Sequence, residues 1–178
     1  MKRYMALLRE INISGKNKVV MAELKKEFES LKFEDVKTYL NSGNVIFSSQ
    51  ENIEKITKQI EEMLKKNYDF KIPVFVLEQG KLKVILEHAP IWWGSDDKII
   101  YDNLIFMIPP VTFKEVFEEI GEAKEGLEKI QNYKDVIFWS FSRKDYQKTN
   151  WWPKTANKNV SKKLTIRTVN TVRKIVRM

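Results

Sequence analysis

Two hydrophobic rhythms alternate along this chain, and their succession gives an order of elements. Tyr4–Arg9 is a nearly unbroken apolar run closed by an arginine, the pattern of a buried strand. Val20, Leu24, Phe28 and Leu31 then recur on one helical face with Glu and Lys opposite, the 3.6-residue period of an amphipathic helix. VKTYL and VIFSS follow as strands joined by Asn41-Ser42-Gly43-Asn44, where Gly43 can supply the positive φ of a tight hairpin. Ile53, Ile56, Ile60, Met63 and Leu64 mark a second helix, and KIPVFVL closes the segment as a strand.

The second half repeats that order. A helix around Lys81–Glu87 leads through HAPIWWGSDDK, a loop with Pro90 and Gly94, to the strand NLIFMI. Phe113, Val116, Phe117 and Ile120 form a helical stripe, and LEKIQN and DVIFWSF pair around Tyr133-Lys134. A helix near Lys154–Lys163, the strand LTIRT and a helix carrying Val172, Ile175 and Val176 complete the chain. The pattern predicts an α+β fold of two ferredoxin-like β-α-β-β-α-β units, with antiparallel sheets and helices on one face. The expected division is residues 1–78 for the N-terminal unit and 79–178 for the C-terminal unit with its basic end. In a split βαβ unit the first strand ends at the sheet edge where strands two and three turn. The segments 10–19 and 41–44 are therefore expected to form one polar rim.

Composition narrows the function classes. The 178 residues are 43% hydrophobic and 12% aromatic, enough for a proper core. No apolar run approaches a bilayer span, and the basic start MKRYMALLREIN has too short an apolar run for a secretory signal. With no cysteine there is no thiol nucleophile and no thiolate metal site, so the cytoplasm is the expected compartment. The net charge of +8 is concentrated: residues 143–178 hold eleven Lys/Arg and one acid, 11 − 1 = +10, while the first 142 residues sum to 21 − 23 = −2. Such asymmetry marks either a polyanion-binding face or a lysine-rich solvated surface.

ALLREINISGKNKVVMAEL, VKTYLNSGNVIFSS and LTIRTVNTVRKI together resemble the bacterial family called domain of unknown function 1697. Its first motif, RGIN(V)GGKNK, is matched by Arg9, Ile11, Asn12, Gly15, Lys16, Asn17 and Lys18, while Glu10 and Ser14 replace glycines. Ser42, Gly43 and Asn44 match its hairpin. Thr165, Arg167 and Thr171 match its C-terminal T-x-R-N-x-x-T, with Thr168 in place of asparagine. Trp92-Trp93 and the segment around Lys148 resemble a streptococcal branch. The resemblance implies a paired α+β architecture and carries no activity.

The candidate ligand-binding residues are Arg9, Asn12, Lys16, Asn17, Lys18, Ser42, Asn44, Arg167 and Thr171. Lys16 and Lys18 precede a helix N-terminus, where backbone N–H groups favour anions, although the Walker A spacing is absent. Asn12 and Asn17 could instead cap backbone groups in the loop. Arg9 could pair with Glu10 or Glu23, or bind an oxyanion bidentately. Ser42 and Asn44 could simply shape the hairpin, and Thr168 could cap the last helix beside Arg167. Trp139 and Phe141 alternate on a strand as core residues. WWG and NWWP read as loops in which one tryptophan of each pair is partly exposed, to stack on a base or cover a neighbouring element. The third strand lacks the RNP1 pattern of RNA-recognition domains.

His88, the one histidine, joins no Ser-His-Asp set, and no metal-ligand cluster can be assembled around it. Asp96-Asp97 could hold Mg²⁺ but reads more simply as solvated. The leading expectation is therefore a binding protein for an anionic ligand, nucleic acid or phosphate-bearing metabolite, with no membrane association. An enzyme acting on a phosphorylated or carboxylated metabolite and a protein-interaction scaffold are the alternatives. Cofactor and oligomeric state stay open.

Overall fold

The structure, a computed structural model, describes residues 1–178. Strand β1 (Lys2–Leu8) is central in the first sheet because it pairs antiparallel with both β3 (Asn44–Ser49) and β4 (Val74–Glu78). With β2 (Glu34–Tyr39) at the edge the order is β2-β3-β1-β4, that of a split βαβ unit. Helices α1 (Met21–Ser30) and α2 (Ile53–Asn67) supply Leu24, Phe28, Ile56 and Ile60 to a core shared with Tyr4, Ala6, Leu8 and Phe47 of the sheet. Every residue in that set is 2% exposed or less, and burying each large side chain contributes about 1.5–3 kcal/mol. Asn52 caps α2 by accepting from Lys55 N–H at 2.9 Å. Helix α3 (Gln79–Glu87) follows β4.

The second sheet repeats the arrangement. Strands β5 (Ile100–Met107), β6 (Glu128–Tyr133), β7 (Val136–Ser142) and β8 (Leu164–Thr168) take the order β6-β7-β5-β8, all pairs antiparallel. Helix α4 (Phe113–Ile120) starts with a capping box between Thr112 and Glu115. The backbone N–H of Thr112 holds the Glu115 carboxyl below its ordinary pKa, with the Thr112 hydroxyl adding to the effect. Both halves are thus mixed α+β, each with one four-stranded antiparallel sheet. The chain clusters into two compact units, Met1–Lys83 with Lys174–Met178, and Val84–Arg173. No helix is long and apolar enough to cross a membrane.

Three details differ from the sequence reading. Val20 does not join the buried stripe of α1: it sits at the N-cap with an extended backbone and is 43% exposed. The single helix anticipated near Lys154–Lys163 is two short ones, α5 (Trp151–Thr155) and α6 (Lys158–Ser161), because Asn157 turns extended and caps the second. NWWP is not a loop, since Trp151-Trp152-Pro153 opens α5. Proline is tolerated in a first turn, where its missing N–H has no helical partner to lose. Trp151 is fully buried and Trp152 is 41% exposed, so the adjacent pair divides between core and surface. Helix α7 (Val169–Ile175) begins after Thr168, whose hydroxyl accepts from Thr171 N–H at 3.4 Å.

Glu128 organises this part of the C-terminal unit, and nothing in the periodicity marks it. Its buried carboxylate accepts from the N–H groups of Lys124 (3.0 Å), Asn150 (2.6 Å) and Trp151 (3.3 Å) and from the Trp139 indole (3.1 Å). A buried charge is tolerable when donors surround it in this way. Glu128→Gln turns an amide toward those donors and is expected to cost about 3 kcal/mol. Urea unfolding checks this, and a variant with the parental midpoint would show that the network contributes little.

Candidate functional site

The β1–α1 connection is a miniature hairpin. Asn12 N–H donates to Asn17 O and Lys16 N–H to Ile13 O, both at 2.9 Å, and Ile13 and Lys16 form an isolated antiparallel bridge. Ser14 (φ 49°) and Gly15 (φ 77°) occupy the two central turn positions, the double positive φ of a type I′ turn. Glu10, Asn12 and Asn17 are left-handed too, with φ of 60°, 53° and 51°. Asparagine tolerates that region better than most residues, which suits positions 12 and 17.

Asn12 joins this loop to the rest of the rim. Its amide nitrogen donates to Val19 O at 3.0 Å and to Asn41 O at 2.8 Å, and its Oδ1 accepts from Val19 N–H at 2.9 Å. Asn17 donates to Glu10 O at 2.8 Å and closes the loop from the other side. Leu8 N–H meanwhile donates to Gly43 O at 2.8 Å. Loop 10–19 and hairpin 40–43 therefore lie together at one sheet edge, as the strand order requires. Gly43 is buried there with φ 86°, and a Cβ on it would stand 2.7 Å from Leu8 Cβ and 2.8 Å from Ile11 Cδ1.

The candidate side chains fall into two groups. Lys16 and Lys18 are exposed and form no ion pair. Arg9 continues the β1 face of Met5 and Leu7, its side chain only 9% exposed, with Glu10 Oε1 at 4.0 Å. Burial pulls its guanidinium below the ordinary arginine pKa, and Glu10 opposes that shift. Asn44 is completely buried, donating to Tyr39 O at 2.7 Å and to Ser42 Oγ at 3.2 Å, so it braces the hairpin. Helix α1 has no side-chain cap: Glu23 and Leu24 N–H turn back to Val20 O, and the N–H groups of Met21 and Ala22 are left for solvent or ligand. Lys16 and Lys18 thus lie on the loop that leads into an open helix start, with Glu10 in the same loop and Glu23 in the first turn of α1.

Arg167 and Thr171 belong to the other unit. Arg167 is 9% exposed and donates to Thr165 Oγ (3.2 Å) and Ile166 O (3.0 Å); Thr171 is 6% exposed and contacts the Thr168 hydroxyl at 3.1 Å. The basic segment 143–178 is not uniformly solvated either, since Lys148, Lys163 and Arg173 pair with Asp145, Glu119 and Asp96. Asp97 accepts from Ile99 N–H at 3.0 Å, and His88 hydrogen-bonds Val84 O at 2.8 Å while stacking on Tyr133. A cavity of about 530 Å³ opens at the opposite edge of the first sheet, lined among others by Lys32, Glu34 and Glu51, and none of the candidate residues lines it.

A model of the family described as "Protein of unknown function (DUF1697)" matches residues 1–138, which include the loop, the hairpin and most of the second sheet. The chain belongs to this family. The conserved bacterial protein SP0830 from Streptococcus pneumoniae is similar over its whole length. It is 31% identical, with 99% of this chain and 97% of that one covered, at a TM-score of 0.86. No curated protein matches the chain. Glycine is usual in the DUF1697 motif at positions 10 and 14, and the backbone gives the reason, because both are left-handed here.

Asn12→Ala removes three hydrogen bonds and places alanine at positive φ, so a loss of about 2–4 kcal/mol is expected. Gly43→Ala should cost a similar ~2–4 kcal/mol through strain and overpacking against Leu8 and Ile11. Denaturant midpoints measure both, and losses below about 0.5 kcal/mol, the range of ordinary surface substitutions, would contradict this description of the rim.

Proposed function

We propose that this protein is a cytosolic binding protein for an anionic ligand, a phosphate-bearing small molecule or nucleic acid, held at the loop–hairpin rim of the N-terminal unit. The observation that carries the reading is a pair of unpaired lysines, Lys16 and Lys18, on a hydrogen-bonded loop that leads into an uncapped helix start. A loop whose backbone is already satisfied presents its side chains at little further entropic cost. The amides of Asn12 and Lys16 are occupied within the loop, so recognition falls to the lysine ammonium groups, the first N–H groups of α1 and the guanidinium of Arg9. This set stabilises negative charge and offers no group suited to proton transfer near neutral pH, which favours binding over catalysis.

Thermal-shift screening with nucleotides, phosphorylated metabolites and oligonucleotides finds the ligand, and substitutions then locate it. Lys16→Ala and Lys18→Ala are each expected to weaken binding roughly ten- to a hundredfold, the loss of one charge-assisted bond, with the melting temperature unchanged. Arg9→Ala is expected to lower both affinity and stability, because its side chain is mostly buried. Parental affinity in both lysine variants would remove the rim as the site.

A further inference from the structure

We propose that the C-terminal unit carries a second binding site, an aromatic groove between Tyr101, Phe141, Tyr146 and Trp152 that stacks a base of single-stranded nucleic acid while Arg143 holds the adjoining phosphate. The groove forms because Tyr101 of β5 and Phe141 of β7 are register partners whose rings stack at 5.5 Å. The turn at Tyr146–Lys148 and helix α5 then bring up Tyr146 and Trp152, which meet edge to face at 4.8 Å. Trp152 also meets Phe141 edge to face at 5.6 Å and Trp139 at a tilt of 36° and 6.4 Å, and it stays 41% exposed. A half-exposed indole set among other rings is a suitable platform for a base.

Charge selects the occupant. A ring of aromatics could hold an organic cation, but Arg143 already takes that place, its guanidinium carbon 4.5 Å from the Tyr101 centroid. A second cation would be repelled. Arg143 is exposed, forms no ion pair and offers a planar fork for a phosphate. Lys144 follows Arg143 and is exposed, Lys154 donates to Ile120 O at 2.6 Å, and Asp145 is engaged by Lys148 at 2.9 Å. The groove measures about 290 Å³, room enough for one flat ring. An aromatic slot with a guanidinium beside it, on a segment of local charge +10, suits a strand with several phosphates better than a free nucleotide.

Titration of the full chain with a twelve-residue oligothymidylate, read by tryptophan fluorescence, tests this. Binding with quenching is expected, weakening steeply as salt is raised. Trp152→Ala should weaken it roughly ten- to a hundredfold, and Trp152→Phe, which keeps a stacking face, should weaken it much less. Arg143→Gln should reduce affinity and make the salt dependence shallower by about one phosphate contact. Inorganic polyphosphate of equal charge should compete poorly. The proposal is overturned if the oligonucleotide does not bind, if folded Trp152→Ala and Arg143→Gln proteins bind it as the parent does, if polyphosphate competes equally well, or if thymidine monophosphate binds as tightly as the strand.

Discussion

The carboxamide of Asn12 donates to two carbonyls and accepts from one amide, and through those three bonds the β1–α1 loop, the start of α1 and the β2–β3 hairpin become one piece. Without it the loop would be a chain of left-handed residues with little to hold them, since conformations of that kind persist only where the surroundings over-determine them. The strand order supplies the other half of the constraint. Because β1 runs between β3 and β4, its C-terminal end must emerge beside the β2–β3 turn, and Leu8 N–H bonds Gly43 O there. Gly43 completes the junction because the site has no room for a Cβ.

The C-terminal unit solves a similar problem with a charge. Glu128 collects donors from the segment before β6, from the start of α5 and from the Trp139 indole, so the chain between β7 and β8 is anchored to the sheet despite its short helices. That anchoring positions Trp152 beside Tyr146 and Phe141. In both units a single buried or half-buried polar side chain satisfies the backbone of an irregular segment and so fixes where that segment's side chains sit. The two segments differ in character: the loop of the first unit carries exposed lysines and buried or half-buried amides, and the groove of the second is aromatic with one guanidinium.

Most of the architecture was legible in the sequence because its signals are periodic. Phe113, Val116, Phe117 and Ile120 can be read only as a helix face, and the two hairpins stand out by their alternation around Gly43 and around Tyr133-Lys134. The neighbourhood of loop and hairpin followed from element order. What escaped was local and non-periodic. Val20 has the residue type of a core position, yet it serves as the N-cap of α1. The break between α5 and α6 depends on one extended residue, Asn157, and a proline in a first turn looks in sequence like a proline in a loop. Glu128 reads as one more acid among many, because its role depends on donors from residues 124, 139, 150 and 151. Asn12 was legible as a capping residue, but not its bond to Asn41, twenty-nine positions away.

Amide hydrogen exchange at Val19 tests the preorganised rim most directly, since its N–H donates to Asn12 Oδ1 and to no helix or strand. In the ligand-free protein this amide is expected to exchange at least a hundredfold more slowly than an unstructured amide, with Leu8 and Lys16 protected alongside it, and Asn12→Ala should release Val19 while the β1–β3 ladder stays protected. Exchange of Val19 and Lys16 at the unstructured rate in the parent protein would contradict the account, because the lysines would then sit on a loop that no hydrogen bond holds in place.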